Sequence, residues 1–364
     1  MQHFPVARVE AQMLSMLLLA AITVTVEPRP AYIEQSASAQ IVNFDLIVEN
    51  TTDEPLDIDE VQLSVRDRAG RLVLRKFIDG NGTRPSIRTV DIAEVPARGK
   101  AMLFNPFDRF DRDLDLSTMT FDLKFSSKDG QRRYASRVEV APKPYAGKAA
   151  LILPLEGPMI VYDGHDFYAH HRRWDYTIPG LQQLGFRTNF MRYSYDFVPV
   201  NAGGAMFEGE EKKNESWFGF GRAVHAAADG TIAAVLDDQP DDRSFDPSSI
   251  AQHGTMRVWG NYVVIDHGHG EFSLYGEFSL YGHIRQGSSR VKAGQHVKRG
   301  EAIAAIGASG SSMFPHLHFE LQTGADTNAE GLPSTFRDFV RIQGARRVPV
   351  AAGIVESGEL VESK

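Results

Sequence analysis

The chain has 364 residues, room for two ordinary domains, and its 42% hydrophobic content is enough for real cores. The formal net charge is -8 and no long basic run occurs, which argues against a polyanionic partner such as nucleic acid. There is no cysteine, so disulfides and thiolate metal sites are excluded, and any metal must be held by His, Asp, Glu or water.

Met13 to Val26 is an apolar run of signal-peptide length, too short for a comfortable membrane span. Arg8 precedes it, but so does Glu10, and no clean small-x-small cleavage site comes after it. Residues 1–21 therefore read as an export signal, while the tail Thr23-Val24-Thr25-Val26 also reads as a first β-strand. From 22 to 145 the pattern is strand alternation. Val42, Phe44, Leu46 and Val48 share one face, as do Met119, Phe121, Leu123 and Phe125, with turn signals between such runs. Short strands at this spacing predict an immunoglobulin-like β-sandwich. His3 is the only histidine before residue 165, so a catalytic role is not expected here; spacing, docking, recognition and stability are all compatible.

Residues 141–147 (APKPYAG) read as a linker. Beyond it lie eleven of the twelve histidines, all between 165 and 318. This second unit, 150–345, is again β-rich and full of glycine, with one short helix expected within Asp326 to Phe339 and a strand or tail at 346–364. The whole chain is thus expected to be all-β. The hexapeptide GEFSLY occurs in tandem at 270–275 and 276–281. Six is even, so the insertion preserves facing, yet it adds roughly 20 Å of extended chain. Either the second copy stays in register with His283, or His283 is displaced.

Pro315-His316-Leu317-His318-Phe319-Glu320 comes after a Gly/Ser turn, Gly307 to Ser312. In a strand, residues two apart project from one face, so both imidazoles stand side by side. They read either as one metal ligand beside one substrate-facing ring, or as two buried, hydrogen-bonded histidines. A catalytic zinc site takes three protein ligands and leaves a position for water, so further ligands must come from upstream. Two clusters offer them: His170-His171-Arg172-Arg173-Trp174-Asp175, with His-x3-Asp spacing, and Asp196 among aromatic and β-branched residues. A carboxylate in such a setting needs a compensating charge, from a cation or from Arg192.

Five motifs in order now carry a resemblance: residues 221–230 (GRAVHAAADG), 260–268 (GNYVVIDHG), Tyr281-Gly282-His283-Ile284, 294–300 (GQHVKRG) and the PHLHFE strand. Together they resemble the lysostaphin/beta-lytic zinc metalloendopeptidases, which cut peptide bonds in bacterial cell-wall peptidoglycan. The resemblance covers roughly 150 to 345 and implies a β-rich peptidase domain, a Zn2+ cofactor, peptidoglycan peptides as partners, and a place in the cell envelope, periplasmic or secreted, without a stable membrane span. It implies His318 as a zinc ligand, with an upstream His and Asp: His171 and Asp196, or His170 and Asp175 as substitutes. Strand context favours Asp196, because a rigid element holds a ligand better than a loop. His316 and His283 correspond to the substrate-side histidines that hydrogen-bond the attacking water and the tetrahedral oxyanion. Glu320, on the face of His318, reads as a carboxylate that orients a histidine or as an ordinary salt-bridge partner. His225, His253, His267, His269 and His296 read as turn or structural residues. Some relatives lose ligands and act as regulators or scaffolds of wall hydrolases, and a displaced His283 would give the same outcome. A carrier half-barrel at 291–310, with Lys292 or Lys298 modified, is a remote third reading.

Overall fold

The computed structural model describes residues 21–90, 92, 94–268 and 277–364. His3, His269, the first part of the N-terminal apolar run and the first GEFSLY copy lie outside the described residues. The described chain is nearly all β, and its helices are short, Pro179–Leu184 and Ser248–His253 being the two α-helices among the described residues. No described helix is long and apolar enough to cross a membrane.

In the N-terminal half the period-two pattern does what it predicts. Val42, Phe44, Leu46 and Val48 are fully buried, as are Met119, Phe121 and Leu123. Ile22–Glu27, Asp45–Asn50 and Lys100–Phe104 form one antiparallel sheet. Leu56–Arg66, Leu72–Asp79, Thr118–Ser127 and Arg133–Val140, with Glu94–Val95, form a second. Both line one apolar core that includes Leu46, Leu63, Leu103 and Phe121. A third sheet, of four short strands, carries the chain toward the second half. Its strands are, in order, Lys143–Pro144, Tyr32–Gln35, Ala39–Val42 and Arg109–Asp111. The segment read as a linker is therefore pinned in a parallel ladder against Tyr32 and Ile33.

The second half is built on an eleven-stranded sheet. Its middle runs Tyr262–Asp266, Phe278–Gly282, Leu317–Gln322, Tyr195–Pro199, Pro158–Asp163, all antiparallel. Leu360–Ser363, Phe336–Gln343 and Arg346–Gly353 continue it, so the C-terminal segment belongs to the same sheet as the histidines. Alternation sorts the strand Leu317–Gln322. Leu317, Phe319 and Leu321 enter the main core with Tyr195, Phe197 and Phe336, while His318, Glu320 and Gln322 take the other face. On that other face Trp259, Leu280, Val264, Phe186 and Phe190 form a second apolar cluster.

The helix expected within 326–339 is not there; the segment holds the strand Gly331–Leu332 and the start of Phe336–Gln343. Asp338 has φ +53°, and the pairing with Arg346–Gly353 passes over it. The resulting kink sends Phe336 and Phe339, three residues apart, into the same core. Spacing of three and four is what a helix would show, which is why the pattern misleads.

Candidate metal centre

Backbone register assembles the site before any side chain is considered. On the sheet, Gly282 lies opposite His318, His318 opposite Asp196, and Asp196 opposite Asp163. Four adjacent strands thus supply one row. His316 lies two residues before His318, just ahead of the strand's first residue, and His171 comes from the irregular segment between the strands Pro158–Asp163 and Tyr195–Pro199.

Three imidazoles converge on one carboxylate oxygen. Asp196 Oδ1 lies 3.4 Å from His171 Nε2, 3.1 Å from His318 Nδ1 and 3.4 Å from His316 Nε2. Zn–N and Zn–O bonds of about 2.0–2.1 Å at tetrahedral angles put neighbouring ligand atoms roughly 3.3–3.4 Å apart. The separations of Asp196 Oδ1 from His171 Nε2 and from His318 Nδ1 are close to that spacing, and the His171 and His318 rings are 4.8 Å apart between centroids, so this donor set is of a kind that fits a zinc ion. His283 is the fifth member; its ring centroid is 4.8 Å from that of His316 and 6.1 Å from that of His318.

Each ring is oriented through its other nitrogen. His171 Nδ1 donates to the Gly164 carbonyl (3.1 Å), His316 Nδ1 to the Phe314 carbonyl (2.7 Å) and His283 Nδ1 to the Ser309 carbonyl (2.7 Å). His318 Nε2 faces Glu320 Oε2 at 3.3 Å, and that oxygen also accepts from Ser194 Oγ at 2.7 Å. These partners orient the rings and turn Nε2 of His171, Nε2 of His316 and Nδ1 of His318 toward Asp196. Trp259 lies against His318 with ring centroids 4.1 Å apart. Gly282 makes room for it, since a Cβ there would be 3.3 Å from Trp259 Cε3 and 3.4 Å from His318 Cβ.

All five residues are nearly buried, the most exposed being His316 at 6%. Burial opposes charge on Asp196, but His316 and His171 outweigh it and hold the carboxyl well below the usual range. Burial lowers His171 despite Asp196, and burial together with His316 and His318 lowers His283 far below an ordinary imidazole. Burial opposes charge on His318 too, yet its bonds to Asp196 and Glu320 push it up to about 9. Two carboxylates around that ring ask for a positive charge, which is a cation's setting.

Of the substitute candidates, Asp175 sits in its own turn, while His170 lies beside His171, ring centroids 4.1 Å apart. Asp175 accepts from the Thr177 backbone N–H (2.8 Å) and hydroxyl (2.5 Å) in its own turn. The His170 side chain is 64% exposed and pairs with Asp163 at 2.5 Å. Arg192, a candidate salt-bridge partner for Asp196 by sequence, instead binds Asp45 and Glu330. Asp163, Oδ2 of which is 3.3 Å from His171 Nδ1, was not marked by any local sequence signal. Together Asp163, His170, His171 and Asp196 form a cluster able to hold a metal ion. The second GEFSLY copy supplies the strand Phe278–Gly282 as far as Tyr281, and His283 stands beside His316 rather than displaced. His267 bridges the Asp229 carbonyl (2.8 Å) and Ser279 Oγ (2.9 Å), a structural position. His225, His253 and His296 lie outside the cluster; His296 pairs with Thr231 Oγ at 3.0 Å. Segment 200–220 stacks Trp217 on Phe314, centroids 4.7 Å apart, two residues from His316. Asp241, from the loop 237–254, braces Ala308 N (2.8 Å) and Gln286 N (3.0 Å).

Comparison with known proteins gives a match of Peptidase family M23 to residues 218–329. The match includes His283, His316 and His318 and begins beyond Asp196. An uncharacterized metalloprotease of Haemophilus influenzae is 44% identical over 100 residues, 28% of this chain and 16% of that protein. The chain thus covers about a sixth of that relative's length. Among solved structures, the catalytic domain of the antimicrobial peptidase lysostaphin from Staphylococcus simulans is 18% identical, covering 48% of this chain and 88% of that one, with a TM-score of 0.26. A zinc-containing peptidase from Vibrio cholerae is 15% identical over 79% of this chain and 84% of its own, with a TM-score of 0.25.

Proposed function

We propose that the protein is a zinc metalloendopeptidase that hydrolyses peptide bonds in bacterial cell-wall peptidoglycan, acting in the periplasm or outside the cell, a reading supported by the match of residues 218–329 to Peptidase family M23. The observation that carries this reading is the convergence of His171 Nε2, Asp196 Oδ1 and His318 Nδ1 at ligand spacing, with His316 and His283 alongside. His171, Asp196 and His318 would hold the zinc. When bound, zinc supplies Lewis acidity toward the scissile carbonyl and makes water a nucleophile near neutral pH.

The remaining roles belong to the chain. His316 and His283 each fix Nδ1–H on a carbonyl, so each presents a free Nε2. One such nitrogen takes the proton of the attacking water; the resulting imidazolium stabilises the tetrahedral oxyanion and returns the proton to the leaving amine. Near-complete burial keeps bulk water away, strengthening these interactions.

The test is metal analysis joined to cleavage of purified cell wall. One zinc per chain and chelator-sensitive release of peptides are expected. His318→Ala should lose both. His283→Ala should keep the zinc while kcat falls by about 10²–10⁴-fold. Full activity of metal-free protein, or of His318→Ala, would overturn the assignment. Bound zinc with no cleavage of any wall peptide would favour a regulator or scaffold of wall hydrolases instead.

A further inference from the structure

His171 is the one ligand supplied by an irregular segment rather than by the sheet or the turn that leads into it, so something must hold it. The loop's own secondary structure is slight: residues 164–178 contain no strand or helix. What grips it comes from the N-terminal half. Arg172, next to His171, is 1% exposed; its Nη1 bonds Asp45 Oδ1 and its Nη2 donates to the Phe44 carbonyl at 2.7 Å. Its guanidinium also lies over the Phe104 ring, 5.4 Å from the centroid. On the other side of the ligand, Glu34 holds His165 at 3.0 Å, and the residue before His165 is Gly164, whose carbonyl orients His171 Nδ1. Asn43 Nδ2 donates to the carbonyls of Arg192 (2.9 Å) and His165 (3.4 Å). Asp45 also binds Arg192, four residues before Asp196. Arg192 is in turn paired with Glu330 at 2.7 Å.

We infer that the N-terminal half is a positioning element of the metal centre: Glu34, Asn43 and Asp45 clamp the segments either side of His171 and ahead of Asp196, and the three-ligand geometry depends on that clamp. The inference rests on the zinc reading of the site. The alternative, a module that merely packs nearby, does not account for where its polar groups go. Asp45 is fully buried, Asn43 and Glu34 nearly so, and all three direct their hydrogen bonds to the ligand-bearing segments. A buried carboxylate shared by two arginines is a rigid geometric constraint, because each planar guanidinium fixes direction as well as distance.

The experiment compares zinc affinity, by competition with a chromophoric chelator, and the visible spectrum of the Co2+-substituted protein. The full-length chains are wild type, Asp45→Asn, Glu34→Gln, Arg172→Lys and, as control, Arg109→Ala. Arg109 also links the two halves, to Glu356 at 2.8 Å, but at the surface, with its side chain 45% exposed. Zinc affinity is expected to fall about tenfold or more in the three clamp variants, with an altered Co2+ spectrum, while Arg109→Ala matches wild type in both. Should Asp45→Asn fail to fold, Arg172→Lys and Glu34→Gln carry the same reading. Folded clamp variants with wild-type affinity and spectrum would overturn the inference. A wild-type protein that binds no zinc would instead sink the zinc reading itself, so the two failures are distinct.

Discussion

Glu320 is fully buried and, among the described residues, pairs with no arginine or lysine; its partners are His318, Ser194 and Gln322. Burial raises its pKa, against the pull of His318. Its use is to fix the ring of His318 with Nδ1 toward Asp196. Glu320→Gln keeps the shape and removes the acceptor charge, and zinc affinity or activity should fall roughly 10–100-fold, measurable by chelator competition. A second prediction concerns His165. Burial lowers its pKa, but the Glu34 carboxylate outweighs burial and the net shift is upward. A group raised in the folded state stabilises below its unfolded pKa, and that contribution is lost as pH rises through the folded value. The stability difference between wild type and Glu34→Gln, taken by urea titration, should therefore be largest near pH 6 and shrink as pH rises above it. A difference that grows with pH would reverse the argument.

At the scale of elements, the loops around the histidines are set by close backbone contact. Gly260 (φ +61°) and Gly310 (φ +69°) face each other, and a Cβ on either would meet the other's backbone at 2.4 Å or less. The contact seats Ser309, whose carbonyl holds His283. Gly310→Ala should cost more than about 2 kcal/mol, because the strain at positive φ and the clash add. It should lower kcat as His283 shifts; a wild-type melt with wild-type kcat would refute this. Much of this level was legible beforehand. Period-two runs marked the strands, and His-x-His placed two rings on one face. The landmark order brought His283 to them. Strand context favoured Asp196 over Asp175, and on the sheet Asp196 lies opposite His318 while Asp175 sits in its own turn. The misread stretch at 326–339 failed because a kinked strand copies helical spacing. Asp163 and Asp45 were invisible: Asp45 acts on arginines distant in sequence, Asp163 on two histidines of the irregular segment that comes after its strand, and a lone aspartate carries no periodicity.

Over the whole molecule, two apolar cores meet across a buried ionic cluster. Asp45, Arg172 and Arg192 are each no more than 1% exposed, and Glu330 completes two negative and two positive charges. Tyr32 and Tyr145, from the N-terminal side, pack against the core of the second half. Tyr145 also donates to Glu277 at 3.0 Å, just before the strand leading to His283. Such a junction ties the halves into one cooperative unit. Within the junction the ions have lost their water, so taking away one partner while the others stay buried leaves desolvated charge uncompensated, which is costly. The full-length protein should then melt in a single calorimetric transition, with calorimetric and van't Hoff enthalpies in agreement. Asp45→Ala leaves two arginines facing each other without their shared carboxylate. It should lower stability by roughly 3–5 kcal/mol and split the melt in two, the first step being loss of contact between the halves. Replacing the cluster as a set, with Asp45→Leu, Arg172→Met, Arg192→Met and Glu330→Gln, should recover much of that loss, because removing all the charges removes the desolvation cost as well. If Asp45→Ala alone melts in one transition near the wild-type temperature, the ionic cluster does not couple the two cores, and the junction is held by its apolar contacts.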